Sequence, residues 1–295
     1  MRVMVIGATG VLGGPAVGRL LDAGHEVSGL ARTTGRVAAV QATGAKPVVG
    51  DLFDEASLAT ALRGHDAVLN LATRIPGAKE LTRKAGWAEN DRIRTAGSAS
   101  LAAAVRRVEE VHTVVQEGIS FVYADGGDRE LDEEAPLRPR GVTASSVVAH
   151  ANVAALTDRT VVRLRIGTLV GADAMTLALL ASARRGLPLI MGSRTDWTTA
   201  IHPSDAAAAA VAALEAPSGV YNVGAPPVTK AELGAAMAGA AGVRKARAVP
   251  KWLVSRLPMA EPMGRSQRVV SGKLTEATGW RCALPVPGPD WFTSD

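Results

Sequence analysis

The chain has 295 residues, 47% of them hydrophobic and 21% charged, which is ordinary for a globular protein. This length allows one large domain, or one domain with a smaller lobe, around a sizeable core. The net charge of +5 and the isoelectric point near 9.7 come from scattered pairs of basic residues, without a long run or interleaved aromatics. This pattern argues against nucleic acid as a partner and indicates a solvated, mildly positive surface.

The cysteine count and the hydropathy pattern bear on the compartment. Cys282 is the single cysteine, which excludes an intrachain disulfide and a cysteine-based metal cluster, so we expect a reducing compartment and no metal site. The longest apolar helical stretch, 206–214, is far shorter than the roughly 20 residues that cross a bilayer. The chain enters a strand pattern at once, without a charged leader, so we expect a cytoplasmic protein with no membrane partner.

Strand and helix patterns alternate over the first 167 residues. In chain order the predicted elements are a strand at 2–7, a helix from residue 13, a strand at 26–31, a helix at 37–43, a strand at 46–50, a helix at 55–62, a strand at 67–72, a helix at 90–107, strands at 113–115 and 119–123, a helix at 143–156 and a strand at 160–164. This alternation predicts parallel crossovers and therefore an α/β fold, a Rossmann-type doubly wound parallel sheet with helices on both faces.

The alternation breaks beyond residue 167. Helices are predicted at 174–185, 206–214 and 230–239, a strand at 220–223, and irregular structure at 188–197. The proline-rich last 70 residues keep several large apolar side chains for burial, namely Trp252, Leu253, Leu257, Trp280 and Trp291. We therefore predict a smaller C-terminal substrate-binding cap. Residues 1–167 and 201–224 are assigned to the dinucleotide-binding domain, and residues 168–200 and 225–295 to the cap.

Three glycines between the first strand and the first helix, Gly7, Gly10 and Gly13, are spaced G-x-x-G-x-x-G. A strand, a tight turn and a helix start in this order bring bare backbone N–H groups and the positive end of a helix dipole to a phosphate. A side chain at Gly7 or Gly10 would collide with the turn or the ligand, and one at Gly13 would push helix from strand. The motif predicts a dinucleotide site with pyrophosphate contacts at Gly7, Thr9, Gly10, Val11, Leu12 and Gly13.

The end of the second predicted strand bears on the choice of nucleotide. A site that prefers NAD places an acidic side chain there for the ribose hydroxyls, whereas this strand ends in Arg32. A guanidinium offers a donor fork to a 2′-phosphate, so we predict NADP (NADPH) in preference to NAD, with Arg36 as a second candidate contact. Asp51 and Leu52, after the third strand, fit the adenine: the carboxylate accepts from the exocyclic amine and the leucine packs against the ring.

With these residues the chain resembles the extended short-chain dehydrogenase/reductase family, in its NAD-dependent epimerase/dehydratase group, over nearly its whole length. Residues 7–13 are similar to the family's cofactor loop and residues 50–52 to its third-strand motif. The other matching segments are 69–72 at the fourth-strand end, 90–91, 122–123, 164–165 with Gly171, 201–205 and 220–224. The resemblance implies a nicotinamide dinucleotide cofactor, with Ala72 among its contacts, and a small-molecule substrate.

The proton relay of that family is missing from this sequence. In the resembling enzymes a Tyr-x-x-x-Lys pair, with a serine or threonine, passes a proton while the nicotinamide exchanges hydride. The register places Val142 at the tyrosine position, Ser146 at the lysine position and Ile119 at the serine or threonine position. The two tyrosines of the chain, Tyr123 and Tyr221, both lack a lysine four residues on, so no shifted alignment restores the pair.

Few residues are available to replace the relay. Tyr123 and Ser120 fall at the C-terminal end of the predicted fifth strand, where chemistry takes place in this fold, and Ser146 is expected to face the nicotinamide. We take Tyr123, Ser120 and Ser146 as candidate catalytic residues, with a capping or packing role as the alternative for each.

Five further polar residues have weaker claims to the site. His150 is expected at the surface or core edge, and His202 with Asp205 to cap the helix that follows. Arg265 and Arg268 are candidates for contact with an acidic or carbonyl-bearing substrate, with a solvated loop as an equal alternative.

The leading hypothesis is an NADP-binding, oxidoreductase-like enzyme of the epimerase/dehydratase type. It would act on a small carbonyl, quinone or sugar-like substrate with a non-standard active site, as a monomer or homodimer. A substrate whose product anion is stable, such as a quinone or a conjugated enone, would need little from a general acid. Two alternatives stay open: a catalytically silent NADP-binding redox sensor or regulator, and a non-redox cyclase or lyase on the same fold.

Overall fold

The computed structural model describes residues 1–77, 80–81 and 83–293. Its helices are α1 (Gly13–Asp22), α2 (Val37–Gln41), α3 (Glu55–Leu62), α4 (Ala88–Arg92), α5 (Ser98–Arg106), α6 (Ala144–Ala154), α7 (Ala174–Arg184), α8 (Pro203–Ala212), α9 (Lys230–Ala240), α10 (Lys251–Val254) and α11 (Gly272–Thr278). Its strands are β1 (Arg2–Ile6), β2 (Glu26–Ala31), β3 (Lys46–Val49), β4 (Ala67–Asn70), β5 (Thr113–Gln116), β6 (Glu130–Leu131), β7 (Thr160–Ile166), β8 (Thr168–Leu169), β9 (Ile190–Met191), β10 (Trp197–Thr198), β11 (Ala200–Ile201), β12 (Gly219–Val223), β13 (Val228–Thr229), β14 (Ala248–Val249) and β15 (Arg268–Val269).

Seven parallel strands form the central sheet, in the order β12-β7-β5-β4-β1-β2-β3. The chain builds outward from β1 in one direction through β2 and β3, and in the other through β4, β5, β7 and β12. The strand order therefore reverses beside β1, and ligands of such sheets bind in the crevice at the carboxyl ends of the strands around this point. The prediction of a Rossmann-type parallel sheet is confirmed.

The sheet is covered on both faces, as the alternation along β1 shows. Val3 and Val5 belong to one buried cluster, which includes Ala16, Val17 and Leu20 of α1 and the alanine-rich inner face of α8. Met4 and Ile6 point to the other face and pack with apolar side chains of α3 and α5. Successive side chains of a strand alternate between faces, so a strand buried on both sides is continuously apolar.

The predicted strand at 119–123 is wrong. Residues Ser120–Val122 form a 3₁₀ turn, and Ile119 makes only an isolated bridge to Ile166. The imidazole of His150 lies where a side chain at Gly118 would be, so the chain after β5 is packed against α6 and does not continue the regular ladder.

The predicted helix at 90–107 is interrupted. A π-helical turn, Ile93–Gly97, separates α4 from α5. The Ser98 hydroxyl donates to the carbonyl oxygens of Arg94 and Thr95, so a side chain satisfies carbonyl groups within this turn of the helix. The helix is correct as an element, and its local geometry was not predicted.

The part of the chain after β7 adds short two-stranded ladders, β8 with β11, β9 with β14, and β10 with β13, around α7 and α9. Trp291 is fully buried and Trp280 nearly so, as expected. The prediction of burial is wrong for Trp252, which is 62% exposed, and for Leu253 and Leu257, which are also exposed. The exact division into domain and cap stays a prediction. Within the described residues, no helix is both long and apolar enough to cross a membrane.

Candidate functional site

The glycine loop packs tightly against the end of β4. Gly7 has φ +88°, and a Cβ there would lie 2.9 Å from the backbone N and Cα of Ala72. A Cβ at Gly13 would overlap the Gly7 carbonyl, because the first turn of α1 lies directly on the strand end. At Gly10 the nearest atom to a Cβ is the Gly7 oxygen, 3.2 Å away. Two of the glycines thus serve close backbone packing, while Gly10 keeps the outer side of the loop open.

The loop also presents free amides at the start of α1. The Gly10 N–H donates to the Gly7 carbonyl at 2.9 Å and closes the turn. Among the described residues, no acceptor is found for the N–H groups of Val11 and Leu12, which precede the first helical residue. Free amides, a helix N-terminus and an uncovered glycine together fit the pyrophosphate of a dinucleotide.

Arg32 lies at the end of β2 within a small charged group. Its Nη1 is 3.8 Å from one carboxylate oxygen of Glu89, whose other oxygen is 3.8 Å from Arg92 Nη1. The Arg92 guanidinium stacks over the Phe53 ring at 3.8 Å. Arg36, the other predicted contact, is exposed at the end of the turn Thr34–Arg36. The single carboxylate leaves this group with a net positive charge. No local pattern pointed to Glu89, Arg92 or Phe53.

The predicted adenine contacts are only partly available. One carboxylate oxygen of Asp51 accepts from the Phe53 N–H at 3.0 Å, and the other has no partner among the described residues, so it can accept from an amine. Leu52 is 8% exposed and packs against Gly97 in the core. Most of the Leu52 side chain is therefore used by the core, and its contact with the adenine ring stays a prediction.

The relay positions are buried and carry no acid–base pair. Val142 and Ser146 are 2% and 1% exposed. The Ser146 hydroxyl accepts a hydrogen bond from the Ile119 N–H at 3.2 Å, so it links α6 to the chain after β5. The Cα of Gly141, the residue before Val142, packs against the Pro258 carbonyl in the C-terminal part of the chain. These contacts are those of structural packing.

Tyr123 is enclosed within the protein. It is fully buried, its hydroxyl donates to Asn222 Oδ1 at 2.7 Å, and Arg165 Nη1 donates to that hydroxyl at 2.6 Å. Burial raises the pKa of Tyr123, although the Arg165 guanidinium acts in the opposite sense. Both partners of its hydroxyl belong to the neighbouring strands β12 and β7, and a catalytic role for Tyr123 stays a prediction. Ser120 is 3% exposed in the adjacent turn and stays a candidate.

A buried polar cluster beside these positions was missed. Arg94 and Glu117 form a two-pronged ion pair, with both N–O distances 2.9 Å and side chains 2% and 3% exposed. His150 is also buried, against the expectation of a surface or core-edge position. Burial, with the positive charges of Arg165, Arg163 and Arg94, lowers the pKa of His150 from 6.5 to about 3. The sequence signal was a charged residue, Glu117, directly after an apolar buried strand.

The remaining candidates have structural partners. Arg265 binds the Glu261 carboxylate and the carbonyl oxygens of Phe121, Tyr123 and Arg138. Arg268 pairs with Glu130 at 3.3 Å and stacks on the Trp197 ring. Both guanidinium groups are thus held by protein partners, and contact with a substrate stays a prediction.

Of the two residues predicted to cap α8, His202 and Asp205, only His202 does so. His202 caps α8 by accepting from the Ser204 N–H, as predicted. Asp205 instead accepts from Ala283, Leu284 and Cys282 of the C-terminal segment, so its role as a cap is corrected. Within the described residues, no group of three or more His, Cys, Asp or Glu side chains is arranged to hold a metal ion.

The parallel sheet, the glycine cradle at its switch point and the free amides of the loop define a dinucleotide-binding protein of the Rossmann type. Residues 3–224 match the model of the NAD dependent epimerase/dehydratase family. The chain belongs to this family.

Similar proteins agree with this membership. A Streptomyces protein named 3-diazoavenalumate denitrifying reductase is 34% identical over 229 residues, which are 73% of this chain and 72% of that protein. The structure of human epimerase family protein SDR39U1 with NADPH is 26% identical, covers 98% of this chain and 97% of its own, and has a TM-score of 0.79. A Thermus thermophilus UDP-glucose 4-epimerase with NAD, 23% identical, covers 99% and 97% with a TM-score of 0.75, which shows the shared fold.

Proposed function

We propose that this protein is an NADPH-dependent reductase whose substrate accepts a hydride without a proton from a tyrosine–lysine relay. One observation carries the proposal: the cofactor cradle is intact, while Val142, Ser146 and Ile119 pack against the protein at the relay positions. NADPH, when bound, supplies the hydride. The protein's own contribution is then to bind, orient and exclude water, and it is not required to move a proton.

Three observations support NADP over NAD. The group formed by Arg32, Arg92 and Glu89 has a net positive charge at the end of β2, where the 2′-position of the adenosine ribose is expected. No carboxylate is positioned by β2 itself to accept from two ribose hydroxyls, since this strand ends at Ala31 and is followed by Arg32. The human structural relative holds NADPH.

The missing relay restricts the substrate class. A ketone reduced by hydride becomes an alkoxide, which needs a proton at once. An aryl diazonium group needs no proton: the hydride's electron pair forms a C–H bond, the C–N bond breaks with its electron pair, and N₂ leaves. Quinones and conjugated enones are intermediate, because their product anions are delocalised and take protons from water. The Streptomyces relative is named as a denitrifying reductase of a diazo compound, which supports the diazonium class. A cytoplasmic, monomeric or homodimeric protein remains our prediction.

The test is NADPH oxidation with a panel of acceptors: benzenediazonium, a quinone, a conjugated enone and a simple aldehyde. We expect the NADPH absorbance to fall with one or more of the first three and not with the aldehyde. The Gly10→Val variant supplies the background rate, because its side chain fills the space left for the pyrophosphate. Binding of NADPH without turnover of any acceptor would favour the silent sensor, and the absence of binding would favour the non-redox alternative.

Substitution of Ser146 tests whether the relay is truly absent. Ser146→Ala should change the rate with the best acceptor by less than about tenfold, below the 10²–10⁴ that a general acid contributes. The hydroxyl has no charged neighbour among its hydrogen-bond partners and binds a backbone amide. Ser120→Ala serves as the comparison, since Ser120 is the remaining hydroxyl candidate. A loss of turnover in Ser146→Ala with NADPH affinity intact would contradict the proposal.

A further inference from the structure

A cavity of about 250 Å³ lies between the chain after Tyr123 and the C-terminal segment. Asp125, Arg138 and Arg140 line it on one side, and Lys251, Glu261 and Arg265 on the other. The lining thus contains four cations and two carboxylates. The distribution of these charges, and not their number alone, determines what the cavity can bind.

Four of the six charged side chains neutralise one another in pairs. Lys251 Nζ lies 2.9 Å from an Asp125 carboxylate oxygen, and Arg265 binds both oxygens of Glu261. Arg265 Nη1 donates to backbone carbonyl oxygens, among them that of Tyr123 at 2.7 Å. These groups build the walls of the cavity and leave little net charge for a ligand.

Arg138 and Arg140 are the two charges left over. Among the described residues, neither has a carboxylate oxygen within 4.0 Å of its guanidinium, and both are exposed at the cavity. They flank Pro139, whose fixed φ stiffens the segment that carries them. Two unpaired guanidinium groups on one wall offer planar donor forks of the geometry that suits carboxylate and phosphate oxygens.

The cavity adjoins the segment at the relay position. Arg140 precedes Val142 by two residues, and Gly141 between them packs on the Pro258 carbonyl, where the C-terminal segment meets the sheet domain. A ligand held by the two arginines would therefore lie beside the start of α6, on the side closed by the C-terminal segment. Such a position suits a part of the substrate away from its reacting atoms, and it does not involve the residues of the glycine loop that fits the cofactor.

We propose that this cavity binds the anionic group, carboxylate or phosphate, of a small acidic substrate through Arg138 and Arg140. The inference rests on the proposed reductase function, because it assigns a charge to the substrate of that reaction. It also sets these arginines apart from Arg265 and Arg268, whose guanidinium groups bind protein partners.

The test measures binding to the full-length, NADPH-loaded protein by isothermal titration calorimetry. The probes are cinnamate, its neutral methyl ester, and phenyl phosphate. We expect an anion to bind and the ester to bind at least tenfold more weakly, and the Arg138→Gln/Arg140→Gln variant to bind that anion at least tenfold more weakly than wild type. Arg244→Gln in the wild-type background, at an exposed position outside the cavity, is the control for loss of surface charge and should bind as wild type does.

The outcomes separate this inference from the reductase proposal. Tighter binding of cinnamate assigns a carboxylic acid, and tighter binding of phenyl phosphate assigns a phosphate ester. Equal affinity of ester and acid, an unchanged affinity in the double variant, or no binding of either anion would overturn the inference. NADPH affinity and thermal unfolding, measured in parallel, show that each variant is folded and loaded. Anion binding that persists where no acceptor oxidises NADPH would count against the reductase function alone.

Discussion

Arg32 lies at the end of β2 with 61% of its side chain exposed and its nearest carboxylate, on Glu89, 3.8 Å away. An ion pair that long and that exposed is weak, so the guanidinium can turn toward a stronger anion at little cost. A 2′-phosphate is such an anion, because it accepts two charge-assisted hydrogen bonds from the fork.

We predict that Arg32→Ala removes most of the preference for NADPH over NADH. The expected loss in NADPH affinity is about ten- to a hundredfold, the equivalent of about 1.5–3 kcal/mol for hydrogen bonds to a charged group, with NADH affinity nearly unchanged. Fluorescence titration with both cofactors checks it, and the exposed Arg63→Ala serves as control. Equal affinity for NADPH and NADH in the unmutated protein would refute the assignment.

The glycines of the cofactor loop differ in what a side chain would meet. A Cβ at Gly10 lies 3.2 Å from one carbonyl oxygen, which a small shift relieves, whereas at Gly13 it overlaps the Gly7 backbone. Gly10→Val should therefore fold with a Tm near wild type and fail to bind NADPH, while Gly13→Val should lower the Tm as well. Circular dichroism melting and cofactor titration distinguish the two. Normal binding by Gly10→Val would mean that the loop is merely structural.

At the scale of elements, α6 is joined to the sheet by a buried histidine. The His150 ring occupies the space above Gly118, among the positive charges of Arg165, Arg163 and Arg94, and its pKa is lowered from 6.5 to about 3. A glycine at position 118 is therefore required by the helix as well as by the loop. The packing of α6 depends on this ring being neutral.

Acidification should loosen this contact. The unfolded chain binds a proton at His150 below pH 6.5, and the folded chain does so only near pH 3. The contribution to stability is therefore complete above pH 6.5 and is lost as the pH falls, by about 1.4 kcal/mol per pH unit. Urea unfolding between pH 7 and pH 4.5 measures this slope.

The matched variants are His150→Gln and the exposed His112→Gln. His150→Gln should flatten the dependence of unfolding free energy on pH in this range, after an overall loss of stability from altered packing. His112→Gln should keep the slope of the wild type. If His150→Gln and the wild type lose stability in parallel on acidification, the histidine is not the group responsible.

At the scale of the whole molecule, the C-terminal segment returns to the helix that covers the sheet. Asp205 of α8 accepts hydrogen bonds from the Ala283 and Leu284 N–H groups at 3.1 and 2.8 Å and from the Cys282 thiol. Burial and this carboxylate raise the pKa of the Cys282 thiol to about 12, so it stays protonated and unreactive. Trp291, further along, is fully buried.

We predict that Asp205→Ala frees this segment and lowers the Tm by roughly 5–10 °C, because two partly buried hydrogen bonds to a charged acceptor are lost. Differential scanning calorimetry measures the shift, and hydrogen exchange at 282–284 should rise. Asp22→Ala, at an exposed position, is the control. An unchanged Tm with unchanged exchange would show that the segment is held by its apolar contacts alone.

The architecture and the cofactor cradle could be predicted from local patterns along the chain. Periodicity along segments such as β1 and α1, and three glycines between them, are local signals, since strand alternation and close backbone approach act within a few residues. The absence of a Tyr-x-x-x-Lys pair could also be recognised from the sequence, because that pair depends on spacing within one helix. Element bounds shifted by only a few residues where hydrophobic burial dominated.

Contacts between distant segments determine which polar side chains are free. In the sequence, Tyr123 and Arg265 are candidates for chemistry and Asp205 for a helix cap, but each is bound to partners far along the chain, such as Asn222, Phe121 and Leu284. Arg138 and Arg140, ordinary in sequence, are left without a carboxylate partner among the described residues. Hydrogen-bond and charge satisfaction is a property of contacts between distant segments, whose geometry no local pattern contains, because a buried polar group takes whichever partner the fold brings to it.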